Sequence, residues 1–87
     1  SPGIPLRINA KKTKKEEAFV LTKKRKNSYK NYYYLSKKND LKQSAKNLYS
    51  LLRKIRNDGY KMIAVEKIQN IGIGRTINDR LNKASKY

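Results

Sequence analysis

Gly72-Ile73-Gly74, followed by Asn78, Asp79 and Arg80, is the stretch whose residue types and spacing could do chemistry. Backbone amides at a helix start carry partial positive charge, and glycines keep side chains clear of an approaching anion. Such a turn could hold a phosphate. Yet position 77 is Ile where a dinucleotide fingerprint places its third glycine, and the lysine of a P-loop is missing. A purely structural turn is the simpler reading. Asp79 lies four residues from both Arg75 and Lys83 and can pair within its own helix. Asn78 or Arg80 could instead face a ligand or a neighbouring domain. No pair of carboxylates stands at a separation suited to acid–base work. Histidine and cysteine are absent, which excludes imidazole bases, thiol nucleophiles, disulfides and zinc clusters. The chain shows no catalytic constellation, no metal set and no cofactor site of its own.

The elements that must position these residues follow from hydrophobic spacing. Tyr60-Lys61-Met62-Ile63-Ala64-Val65 reads as a strand, with a continuous Met62 to Val65 core suited to a central position covered on both faces. Ile73, Ile77, Leu81 and Ala84 form the apolar stripe of a final helix. Before the strand, Leu41, Ala45, Leu48, Leu52 and Ile55 recur at spacings of four and three, the signature of an amphipathic helix. Asp40 is placed to cap its start, and Gly59 to take the left-handed position after its end. Upstream, Leu6 and Ile8 alternate with Arg7 and Asn9 in a first short strand, after Pro2 and Pro5 disfavour helix. Ala18-Phe19-Val20-Leu21 is a short buried strand. Asn31-Tyr32-Tyr33-Tyr34-Leu35-Ser36 is another, with both faces partly covered or, alternatively, offering a base-stacking platform. Residues 11–17 are too charged for a core, and residues 23–30 read as a mobile basic loop. The order is strand, strand, strand, helix, strand, helix: a small α/β layered domain whose sheet is at least partly parallel.

Eighty-seven residues allow a single small domain that buries roughly 60–65% of its unfolded surface. The formal net charge is +17, which favours contact with polyanions. Lysine outnumbers arginine almost threefold, and Asn, Ile and Tyr are abundant, a bias that AT-rich codons also produce. A solvated lysine surface is therefore the plainer account of the charge. No apolar run approaches the roughly 18 residues of a membrane span. The lack of cysteine fits a reducing, cytoplasmic compartment. The chain opens Ser1-Pro2-Gly3 without an initiator methionine, as expected of a piece of a longer protein.

The closing segment Ile71-Gly72-Ile73-Gly74-Arg75-Thr76-Ile77-Asn78-Asp79-Arg80-Leu81-Asn82-Lys83-Ala84 resembles the final motif of the C-terminal accessory domain in long-form L-threonylcarbamoyladenylate synthases. There a glycine-X-glycine turn leads into an asparagine–acid–arginine–leucine helix. Leu35-Ser36, Asp40-Leu41, the Ala45-Lys46-Asn47-Leu48-Tyr49 helix and Ile63-Ala64-Val65 follow the family's order. Ser1-Pro2-Gly3-Ile4-Pro5 is similar to the end of its interdomain linker, whose histidine–tyrosine pair would lie just upstream.

The resemblance implies a Rossmann-like accessory domain over residues 6–87, with residues 1–5 as the end of the linker. It implies a YrdC-like catalytic domain as partner in the same parent chain, binding ATP, magnesium and threonine. That domain makes threonylcarbamoyl-AMP for adenosine 37 of tRNA. The present domain would cover and gate the active site, with Ser1, Pro2 and Gly3 as linker and Gly72, Gly74, Asn78, Asp79 and Arg80 as candidate contacts. From a different class comes the alternative of a free-standing basic module that binds RNA or other nucleic acid.

Overall fold

The computed structural model describes residues 4–85; the linker assignment at Ser1, Pro2 and Gly3 lies outside them. Strands β1 (Leu6–Arg7), β2 (Ala18–Leu21) and β3 (Tyr32–Tyr34) precede helix α1 (Leu41–Asn57). Strand β4 (Ile63–Val65) and helix α2 (Ile73–Ala84) complete the chain. The strands form one sheet in the order β1-β4-β2-β3. Every strand pair is parallel, with Leu6 opposite Ile63, Ala18 opposite Ile63 and Phe19 opposite Tyr32. The domain is the small α/β layered one that the element order implies.

Alternation along the strands splits the core into two faces. Ala18, Val20, Ile63 and Val65 join Leu48, Leu52 and Ile55 of α1 and Ile77, Leu81 and Ala84 of α2. Phe19, Leu21 and Ala64 point the other way and pack with Ala10, Tyr32 and Tyr34. Both helices thus lie on one face, so the Rossmann-like layering is one-sided. The shortest dimension, 21 Å, is what a sheet and a single layer of helices of about 10 Å diameter require. Two helix-free connections cover the second face. Residues 8–17 cross β4, with Ala10 N–H donating to Val65 O at 2.8 Å. Residues 22–31 cross from β2 to β3, where a parallel pair more often uses a helix.

Helix α1 forms as its caps and stripe demand. Asp40 accepts from Gln43 N–H at 3.2 Å. At the far end Gly59, at φ +97°, donates to Arg56 O while Tyr60 N–H reaches Ile55 O, the paired bonds of a Schellman motif. That motif shortens the next strand. Tyr60 and Lys61 leave the helix cap, Met62 is 40% exposed, and β4 begins only at Ile63. The fully buried core of β4 is Ile63-Ala64-Val65, without the methionine that the apolar run had placed there.

Two further expectations need correction. Glu17, within the stretch judged too charged for a core, is buried. Its carboxylate takes both arms of Arg7, Nη2 at 2.8 Å and Nε at 3.2 Å, and also Lys14 N–H at 2.8 Å. A buried carboxylate with this many donors is satisfied rather than stranded. Residues 23–30 form a loop, as expected, but a loop fixed at regular points. Thr22 N–H and Oγ1 donate to Glu66, Arg25 Nη2 donates to Glu66 at 2.9 Å, Tyr34 Oη donates to Ser28 Oγ, and Asn31 Nδ2 donates to Glu17 O. The Arg25 guanidinium also lies 4.9 Å from the centre of the Phe19 ring.

Candidate functional site

The carboxyl ends of parallel strands are where α/β sheets place ligands, because the outgoing loops part there. Here β1 and β4 end beside the turn that opens α2. Ile8, Asn9, Lys67, Asn70, Asn78 and Asn82 line a polar cleft of about 280 Å³ between them. Asn9 sits at φ +62°, a conformation asparagine tolerates better than most residues, and so turns the chain sharply out of β1.

The glycines of the turn have separate tasks. Gly72 is the N-cap of α2 at φ +54°. Gly74 has no unusual dihedral; it is glycine because a side chain there would collide with the carbonyl oxygen of Gln69. Its amide donates to Ile71 O at 3.0 Å, and Arg75 N–H donates to Gly72 O at 3.1 Å. Two amides that could have met an anion are thus bonded within the turn. Pressing the first turn onto Gln69 also changes the stripe of α2. Gly74, Ile77, Leu81 and Ala84 are its buried positions, while Ile73, assigned to the stripe from spacing, is 42% exposed at the rim. Ile71 stands beside it at 63% exposure.

The candidate contacts do not converge on one point. Asn78 lines the cleft and donates from Nδ2 to Ile68 O at 2.8 Å, tying α2 to the segment after β4. Arg80 points to the other helix, where Nη1 donates to Ala45 O at 3.2 Å. Asp79 is exposed and pairs with Lys83 at 3.2 Å. Only Gly74 and Asn78 meet at a common point, the Ile68–Gln69 backbone. Asn9, Asn70, Asn82 and Lys67 join Asn78 in lining the cleft, and the sequence reading missed these four. Asn9 at the end of an alternating strand and Asn70 just ahead of Ile71-Gly72 were the available signals, both turn-forming residues at element boundaries.

Glu17, Glu66, Tyr33 and Asp58 are held by structural partners. Hydrogen bonding from Arg7 keeps Glu17 below the usual carboxylate range and raises Arg7 in turn. Burial pushes Glu66 up, but hydrogen bonds from Arg25 and Thr22 outweigh it and hold the group low. Burial, then the bond it donates to Asp58 at 2.6 Å, drives the Tyr33 phenol well above its ordinary value. Asp58 is lowered by that same bond and by Lys54. Among the described residues no three carboxylates gather where a metal ion could sit. No helix is long and apolar enough to cross a membrane.

A one-sided parallel sheet with both helices on one face and an asparagine-lined cleft at its carboxyl edge defines a small α/β layered domain. The family model described as threonylcarbamoyl-AMP synthase, C-terminal domain, matches residues 2–86, and the chain belongs to that family. Searches of curated proteins and of solved structures find no match.

Proposed function

We propose that this chain is the part of a threonylcarbamoyl-AMP synthase that packs on a YrdC-like catalytic domain and closes over its active site. In this reading the catalytic domain holds ATP and magnesium. It condenses threonine and bicarbonate with ATP to L-threonylcarbamoyladenylate, releasing pyrophosphate, for the modification of adenosine 37 in tRNA. The family match across residues 2–86 is the observation that carries it. The chemistry of the chain is consistent: Glu17, Asp58, Glu66 and Asp79 are ion-paired and Asp40 caps α1, so most of its described carboxylates hold structure, and the chain contributes surface and position.

Two structural features support a covering role. Pro5 O accepts Ile63 N–H at 3.1 Å, so the chain entering β1 is bonded directly to a central strand. A pull on the linker would reach the sheet without a slack segment between. Ile71 and Ile73 project beside Gly72 as an apolar knob that a neighbouring domain can cover. The test is threonine-dependent pyrophosphate release by the YrdC-like domain with and without this chain joined to it. Loss of the chain, or Ile71→Asp with Ile73→Asp, is expected to lower kcat/KM at least tenfold. Unchanged kinetics without the chain would sink the covering role.

A further inference from the structure

The segment between β2 and β3 is anchored at every third residue. Thr22 and Arg25 bond to Glu66, Ser28 accepts from Tyr34 at the surface, and Asn31 bonds to the Glu17 carbonyl. The residues between them face solvent: Lys23, Lys24, Lys26, Asn27, Tyr29 and Lys30 are all exposed. All of these but Lys30 line an open cleft of about 550 Å³ that also reaches Tyr32. The carboxylate nearest this segment, Glu66, is already taken by Arg25.

The aromatic offered to solvent is not the one the sequence pointed to. Tyr33 turns to the helix face and bonds Asp58, and Tyr34 is tied to Ser28. Tyr32 is flanked edge-on by Phe19 at 5.6 Å and by Tyr29 at 5.1 Å. Within this cluster Tyr29, at 59% exposure, is the ring left with a free surface, and Tyr32 packs edge-on against it.

A second observation points the same way. Lys23 and Lys38 face each other across an isolated antiparallel bridge. Like charges directly opposite on paired backbone repel, and here the fold holds them together rather than apart. An anion seated between them removes that repulsion. A fixed aromatic ring within a cluster of lysines has two complementary halves: a π-face for a base and ammonium groups for the phosphates beside it.

We infer that the β2–β3 segment is a binding surface for single-stranded polynucleotide, in which Tyr29 stacks a base while Lys23, Lys24, Lys26 and Lys38 hold the adjoining phosphates. This goes beyond the covering role and stands on a different part of the molecule. Neutralising about four phosphates of a single strand gives a salt slope near −3, or roughly fiftyfold weaker binding between 50 and 200 mM salt.

The experiment is fluorescence anisotropy of labelled 12-nucleotide single strands, RNA and DNA, with a 12-base-pair duplex RNA, whose charge density is higher, as control, using the intact protein. The single strands are expected to bind more tightly than the duplex, and the stronger of the two names the natural source. Tyr29→Ala is expected to weaken single-strand binding roughly tenfold, and Tyr29→Phe to leave it nearly unchanged. Lys24→Ala with Lys26→Ala, which disturbs no packing, should reduce the magnitude of the salt slope by about 1.4. The comparison pair is Lys42→Ala with Lys46→Ala, exposed on α1 and equal in charge change. Equal loss from both lysine pairs, or duplex binding as tight as single-strand binding, would overturn the assignment and leave only diffuse basicity.

Discussion

A methyl group added at Gly74 would collide with the carbonyl oxygen of Gln69, whereas one added at Gly59 meets nothing. The two glycines therefore fail differently. Gly59→Ala suffers only from its φ of +97° and is expected to cost about 1–2 kcal/mol. Gly74→Ala must push backbone from backbone and is expected to cost about 3 kcal/mol, read as the shift in urea midpoint. If Gly74→Ala were the milder of the two, the close approach would not be what fixes that glycine. Glu17 makes a different point. Its folded pKa is depressed by Arg7, so its contribution is complete above the unfolded value near 4.3 and is lost as pH falls through the lower folded value. The urea midpoint should hold from pH 7 to about 5 and then drop. Glu17→Gln should lower the midpoint at pH 7 and flatten the acid limb; an acid limb identical to the parent's would remove Glu17 from the account.

At the scale of elements, hydrogen bonds from α2 decide how that helix is fixed. Asn78 satisfies the carbonyl of buried Ile68, and Arg80 satisfies that of Ala45 in α1. Asn78→Ala leaves the Ile68 oxygen unpaired and is expected to cost about 1–2 kcal/mol in urea unfolding of the protein without any ligand. A stability unchanged by Asn78→Ala would assign that side chain to ligand contact alone. The same contrast explains what the sequence could reveal. Helix α1 was legible from end to end, because Asp40, the 41–55 stripe and Gly59 all act on their own neighbours. The start of β4 was not, since Tyr60-Lys61-Met62 carries strand-like letters that the Schellman motif of α1 has already claimed. The anchored 22–31 segment was invisible for another reason. Its main fastener, Glu66, lies 44 residues beyond Thr22, a distance no local pattern spans. At the candidate site, the turn glycines and Asn78 announced themselves, but the meeting of Asn78 with Asn9 in one cleft depends on β1 lying beside β4.

The whole molecule must fold against its own charge. Of its few carboxylates, Glu17, Asp58, Glu66 and Asp79 each neutralise one cation locally, which leaves the +17 excess spread over a domain only 33 Å across. At 10 mM salt the screening length, about 30 Å, is as large as the molecule, so every lysine feels most of the others. At 300 mM it shrinks below the spacing of most pairs. The repulsion is then relieved, while the buried Glu17 carboxylate, enclosed by protein, keeps its pairing with Arg7. Tm is therefore expected to rise by about 5 °C between 10 and 300 mM NaCl, the shift about 1 kcal/mol gives a domain of this size. A fall in Tm would mean that the surface ion pairs outweigh the general repulsion. Binding of a polyanion must show the opposite salt dependence, because its affinity comes from displacing the counterions that salt supplies. A single-stranded oligonucleotide should therefore raise Tm at 10 mM NaCl and lose that effect at 300 mM, where salt alone has already stabilised the protein. The two effects separate charge that merely burdens the fold from charge arranged to meet a ligand: Lys42→Ala with Lys46→Ala should raise Tm at low salt yet keep the oligonucleotide response. Lys24→Ala with Lys26→Ala should raise Tm by a similar amount and diminish that response.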